Sequence, residues 1–203
     1  MRVISGTARG HGLKAPRHLR LRPTPMRVKE ALFSSLGDRV VGAIILELFA
    51  GTGAFGIECL SRGAEEVTFV EKDPRAGALI RSNLEKTRFT AQAHLWQTDV
   101  ENALEHLDRK KKRFDLIFAD PPYCKVVGEN KNDFDWVHNL LQSLHLQSLL
   151  ENKGLLLIEH FKKYARLDSL HFVMKRQFQF GDTIVSVFGH SQIRKENTMS
   201  AID

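Results

Sequence analysis

Cysteine is scarce in this sequence: two thiols, Cys59 and Cys124, in 203 residues. Two cannot build a disulfide framework or a four-thiolate zinc site. A reducing, cytoplasmic compartment is the simple expectation. No stretch approaches the ~18 consecutive apolar residues of a membrane span. The opening MRVISGTARGHG lacks an apolar h-region, so no secretory signal is expected. Nine histidines show neither H-E-x-x-H nor another paired-ligand spacing, so no metal is expected. Internal repeats and low-complexity tracts are missing too. Acids are almost absent from one end: residues 1–30 hold eight Arg or Lys and a single acid, Glu30. That segment carries +7, and the rest of the chain sums to −1.

What is present is an ordinary globular mixture, 42% hydrophobic and 27% charged. It suits one compact domain with a small appendage. A basic surface concentrated at one end suits a polyanion, foremost nucleic acid. The alternative is a solvated arm without a partner.

Residues 1–22 place Gly6, Gly10, Gly12 and Pro16 among short apolar pieces, which predicts a small basic hairpin extension. Residues 23–190 follow as the main domain and 191–203 as a loose tail. Thr24 and Pro25 suit the cap and first position of a helix whose face carries Val28, Ala31, Leu32, Ser35 and Leu36. From Gly42 onward strands and helices alternate. Strands are predicted at 43–49, 67–70, 93–97, 114–119 and 154–159. Helices are predicted at 55–62, 74–87 (capped by Asp73), 100–107 and 136–150, with a polar loop at 124–134. This alternation predicts an α/β fold, a doubly wound and mostly parallel sheet. Phe172–Phe180 and Thr183–Phe188 flank Gly181-Asp182 and read as a C-terminal antiparallel hairpin.

The first strand runs into Glu47-Leu48-Phe49-Ala50-Gly51-Thr52-Gly53-Ala54-Phe55-Gly56. Gly51, Gly53 and Gly56 form G-x-G-x-x-G, a sharp turn that lets a ligand approach the backbone before a helix begins. Glu71, at the end of the second strand, can accept hydrogen bonds from ribose hydroxyls. The pair indicates an adenosine-type cofactor without choosing between a dinucleotide and S-adenosylmethionine. Glu47 favours the latter: an acid inside a buried strand could attract an amino-acid ammonium and would not help a pyrophosphate. Asp99, ending the third strand, could accept from an adenine amine. Individually these acids could be helix caps or ion-pair partners. Together with Asp120 they fall at successive strand ends, the rim where such sheets bind ligands.

The fourth strand ends in Phe118-Ala119-Asp120-Pro121-Pro122-Tyr123. Asp120 and the Pro121 carbonyl could accept the two hydrogens of an exocyclic base amine and aim its lone pair at a methyl group. Pro121 and Pro122 stiffen the turn and offer no competing N–H. Tyr123 offers a face for a base to stack on, worth about 1–3 kcal/mol. A plain strand-ending turn is the alternative.

Arg2–Gly6, Leu21–Phe33 (LRPTPMRVKEALF), ELFAGTGAFGIE and DPPY together resemble the class I S-adenosylmethionine-dependent methyltransferases. Within them the sequence is similar to the RsmD-type (guanine-N2)-methyltransferases of bacterial 16S ribosomal RNA. The resemblance covers nearly the whole chain except the tail. It implies a Rossmann-like, seven-stranded sheet and S-adenosylmethionine as cofactor. Glu47, Phe49, Gly51, Gly53, Glu71, Asp99 and Asp120 would bind that cofactor. Asp120, Pro121, Pro122 and Tyr123 would hold the guanine amine. Arg9, Arg22, Thr24, Arg27 and Tyr123 would face the RNA. The implied partner is small-subunit rRNA or an assembling small subunit, with the enzyme a monomer and no membrane involved. Glu47 stands where related sequences usually carry Asp. DNA adenine-N6 or protein-amide methylation, a nicotinamide oxidoreductase and a non-catalytic RNA-binding protein are the competing readings. The basic run Arg109–Arg113 would lie at the strands' amino end, away from the rim, and His160, Trp96 and Trp136 read as packing residues.

Overall fold

The computed structural model describes residues 1–15, 26–122, 135–162 and 167–191, with the side chains of Met26 and Arg27 outside that description. The helices are α1 (Met26–Leu36), α2 (Ala54–Ser61), α3 (Pro74–Thr87), α4 (Val100–Arg109), α5 (Trp136–Gln142) and α6 (Leu144–Leu149). The strands are β1 (Ile44–Leu48), β2 (Glu66–Val70), β3 (Ala93–Trp96), β4 (Phe114–Ala119), β5 (Leu150–Phe161), β6 (Phe172–Phe180) and β7 (Thr183–His190). They form one seven-stranded sheet in the order β3-β2-β1-β4-β5-β7-β6. β7 alone runs against its neighbours: it pairs antiparallel with both β5 and β6.

The central strands are buried on both faces, so they read as unbroken apolar runs rather than alternating ones. Ile45, Val67, Phe69, Leu116, Phe118 and Leu157 join the cluster that holds Val28, Leu32 and Phe33 of α1, Phe55 and Ile57 of α2, and Ile80 of α3. Leu46, Leu48, Val70, Ile117, Ala119 and Ile158 join the cluster that holds Leu104 of α4, Leu140 of α5 and Leu146 of α6. The sheet is therefore a middle layer between two helical ones.

Local chemistry corrects three sequence expectations. The helix expected over 136–150 is two helices, because Ser143 is extended (φ −75°, ψ 115°) and its hydroxyl accepts the Leu146 N–H. The strand expected from Gly154 begins at Leu150. Gly154 lies inside it beside a register irregularity against β4, where an added Cβ would meet the Glu151 carbonyl oxygen at 2.9 Å and that of Asp115 at 3.0 Å. On α1, Ser35 is exposed, while Phe33 and Lys29 are buried.

The N-terminal extension is hairpin-like in residues 1–15, with Arg2 bridged antiparallel to Gly12. It buries Val3, Ala8 and Leu13 in the core of the main domain. The fully buried Glu58 of α2 accepts the Ile4 and Ser5 N–H groups and the Arg62 guanidinium. Gly6 packs so closely on α2 that an added Cβ would lie 1.7 Å from the Ser61 carbonyl oxygen.

Candidate active site

Leu48 pairs with both Val70 and Ala119, Val70 with Trp96, and Ala119 with Ile158. The residues that follow, Phe49, Glu71, Gln97, Asp120 and Glu159, therefore stand side by side along one rim. β1 lies between β2 and β4, whose helical connections cover opposite faces of the sheet. At such a reversal a crevice opens beyond the strand ends.

The glycine loop borders that crevice. Phe49, Gly51 and Gly53 have φ of 55°, 55° and 71°, left-handed conformations that turn the chain from β1 into α2. The loop is tied to β2: Gly51 N–H donates to Glu71 Oε2 at 2.8 Å, and Asp73 N–H donates to Oε1 at 2.8 Å. Two backbone donors thus orient the Glu71 carboxylate, and each oxygen keeps a lone pair for a ribose hydroxyl. Gly56 has a different task. Its N–H donates to Glu47 Oε2 at 2.8 Å, and an added Cβ would lie 2.5 Å from the Phe69 ring. The third glycine of the motif makes room for the acid rather than for the ligand.

Glu47 is buried, and burial lifts its carboxyl to about 8, against the pull of the Gly56 and Phe55 amides and of Lys29. Asp120 is pushed well above the usual carboxylate range, first by burial, then by Glu159 and Glu47. Glu159 is 2% exposed and sits beside Asp120 across the β4–β5 ladder. Strand parity puts Glu47, Asp120 and Glu159 on the face that α1 and α2 cover. The facing cation is Lys29 of α1, also buried, whose Nζ has no hydrogen-bond partner among the described residues. Burial pulls its pKa down, and Glu58 and Glu47 push it up. Three acids face one lysine here, and burial holds Glu47 and Asp120 back from ionising until a cation arrives. A sulfonium or an ammonium favours their charged forms, whereas a pyrophosphate would keep them neutral.

Other predicted residues lie in more ordinary settings. Asp99 caps α4, accepting the Asn102 N–H at 2.9 Å and its side-chain amide at 2.5 Å. The Asn102 backbone bond leads the causes that lower its pKa. Pro121 is buried and Pro122 exposed, and Arg9 is exposed in the hairpin. Arg22, Thr24 and Tyr123, and the side chain of Arg27, lie outside the described residues. His160 is buried, with Nε2 2.7 Å from Ser186 Oγ. The run 109–113 leads into the amino end of β4, opposite the rim. A cleft of about 840 Å³ lies between α4 and the α5–α6 pair, lined by Glu101, Glu105, His138 and His145 among others.

Two rim neighbours were not legible as such. Trp136 packs edge-on against Phe49, ring centroids 5.0 Å apart. Glu159 repeats the signature of the other strands, an acid closing the apolar run Leu155–Ile158, but β5 extends past it to Phe161. An aromatic stack further links α1 to this rim: Phe33 on Phe55 at 5.2 Å, and Phe55 on Phe118 at 4.1 Å, two residues before Asp120.

The family model described as conserved hypothetical protein 95, which is the RsmD family, matches residues 1–189. This chain belongs to the RsmD family of methyltransferases. One relative is YlbH of Bacillus subtilis strain 168, whose name proposes an rRNA methyltransferase; it is 36% identical over 93% of this RsmD-family chain and 98% of its own length. Another is ribosomal RNA small subunit methyltransferase D of Escherichia coli K12, 37% identical over 64% of this chain and 63% of that protein. Among solved structures, the hypothetical protein TTHA0928 of Thermus thermophilus superposes with a TM-score of 0.75 at 30% identity, covering 93% of this chain and 99% of that one. The family match, from residue 1 to residue 189, takes in the N-terminal extension as well as the sheet.

Proposed function

We propose that this protein transfers a methyl group from S-adenosylmethionine to the exocyclic N2 amine of a guanine in small-subunit ribosomal RNA. The observation that carries the proposal is the placement of the half-buried Asp120 and the buried Pro121 at the switch point of the sheet, next to the glycine loop and to Glu47. The names of the relatives support ribosomal RNA as the substrate class. No helix among the described residues is long and apolar enough to cross a membrane.

Bound at the rim, S-adenosylmethionine supplies a methyl group made electrophilic by its sulfonium. Glu71 holds the ribose hydroxyls, Gly51 and Gly53 admit the ligand to the backbone, and Phe49 flanks it. Glu47 faces the amino-acid ammonium, and Asp99 faces the adenine side. Asp120 and the Pro121 carbonyl grip the guanine amine, with Tyr123 as the stacking face. Arg9, Arg22, Thr24 and Arg27 receive the RNA backbone. Asp120 accepts from the amine most strongly as the ionised carboxylate. Burial and its acidic neighbours oppose that ionisation, and a cation at the rim offsets them. The same elevated pKa suits Asp120 to take the proton that the methylated nitrogen sheds. The work of the site is positioning and electrostatics.

Labelled methyl transfer tests the substrate. With S-adenosylmethionine as donor, small-subunit rRNA, duplex DNA and bulk protein are offered in parallel. Label is expected in rRNA. Label confined to DNA or to protein would replace the guanine reading with adenine-N6 or amide methylation.

A further inference from the structure

Asn83 of α3 is fully buried, and all three of its polar positions are used across two separate segments. Its Oδ1 accepts the backbone N–H of Lys14 at 2.7 Å. Its Nδ2 donates to the Lys14 carbonyl at 3.2 Å and to the Thr52 carbonyl at 3.0 Å. Lys14 belongs to the basic extension, and Thr52 lies between the two left-handed glycines of the cofactor loop. Neighbours on α3 reinforce the first attachment: Lys86 Nζ donates to the Gly12 carbonyl at 2.6 Å, and Lys14 Nζ donates to Ser82 Oγ at 2.8 Å. The loop is closed by its own bonds, Gly53 N–H to the Ala50 carbonyl at 2.7 Å and Gly51 N–H to Glu71 at 2.8 Å.

We infer that Asn83 is a positioning residue that joins the RNA-facing extension to the methyl-donor loop, so that RNA binding and donor binding strengthen one another. This rests on the function proposed above. A primary amide suits the task because it offers one acceptor and two donors in a rigid plane, matching one backbone N–H and two carbonyls. Broken on either side, it leaves buried polar groups unpaired, so the two attachments stand or fall together. RNA held by the extension therefore bears, through Asn83, on the Thr52 carbonyl and the loop that carries Gly51 and Gly53. By linkage, donor binding at the loop tightens RNA by the same factor.

The test measures a ratio. The dissociation constant for S-adenosylhomocysteine is taken with and without saturating small-subunit rRNA, in the wild type, Asn83→Ala, Lys14→Pro and Lys14→Gln. Lys14→Pro removes the backbone N–H that Asn83 accepts, whereas Lys14→Gln removes the charge and the bond to Ser82 but keeps that N–H. In the wild type and Lys14→Gln, RNA is expected to tighten S-adenosylhomocysteine about tenfold. In Asn83→Ala and Lys14→Pro the factor is expected to fall towards one. A purely structural role would lower stability and leave the ratio alone. If Asn83→Ala does not fold, Lys14→Pro decides by itself. Equal factors in Lys14→Pro and Lys14→Gln would overturn the inference, as would a wild-type factor of one with both ligands bound, and in those cases the RNA reading survives. Failure of the wild type to bind rRNA at all would remove both.

Discussion

Asp120→Ala is expected to lower methyl transfer to rRNA by about 10³-fold, the scale of losing a preorganised electrostatic group at a reacting centre. The affinity for S-adenosylmethionine should change far less, since Glu71, Gly51 and Glu47 remain. The substitution removes the acceptor that Pro121 and Pro122 hold rigid at the end of β4, so the amine loses its orientation rather than its donor. Asp120→Asn separates the acceptor from the charge. Its carbonyl oxygen still accepts one amine hydrogen, so measurable turnover is expected, between wild type and alanine. Single-turnover rates and equilibrium dissociation constants for the three proteins check this. Unchanged transfer in Asp120→Ala would dismiss the role given to Asp120.

A steep pH dependence of donor binding is the second expectation. Glu47 has its carboxyl raised to about 8, so below that pH the ligand-free protein holds it mostly protonated. A cationic donor prefers the carboxylate. Binding near neutrality must then release a proton, and affinity for S-adenosylmethionine should rise with pH, by up to about tenfold per unit for each group ionised. The rise should flatten as pH passes about 8. Asp120, raised in the same direction, adds to the slope. The groups that act on Glu47 bear on the same equilibrium: Lys29 from α1, Cys59 from α2, Glu71 after β2 and Asp120 across the sheet. Calorimetry between pH 6 and 7.5, in buffers of different ionisation enthalpy, counts the protons. Glu47→Gln keeps an oxygen for the Gly56 N–H and should reduce the slope by about one. An affinity flat in pH would mean that Glu47 does not meet the donor's positive charge.

Much of this was legible in the sequence because the relevant signals are local. Asp73-Pro74 fixed the start of α3 at the residue, since an Asx cap followed by proline at the first helical position has few other uses. Glu47, Glu71, Asp99 and Asp120 stood out because each interrupts or closes an apolar run, and a parallel strand tolerates an acid best at its carboxyl end. What escaped depends on contacts between distant segments. Glu159 reaches the rim only through the β4–β5 register, and its strand continues past it. Ser143 divides a helix that periodicity alone joins, because one hydroxyl turned inward outweighs an apolar pattern that runs on. Asn83 looks like an unremarkable polar residue within α3, and its three bonds span 69 and 31 positions of sequence. Phe33 links α1 to Phe118 through Phe55, a stack invisible to spacing along the chain.

Mass mapping of modified nucleosides in small-subunit rRNA, from cells with and without this protein, measures the end result directly. One guanine is expected to lose its N2 methyl group when the protein is absent, and the wild type is expected to restore it whereas Asp120→Ala does not. An identical set of modified nucleosides in both strains, or the loss of a methyl group from a different base, would contradict that expectation.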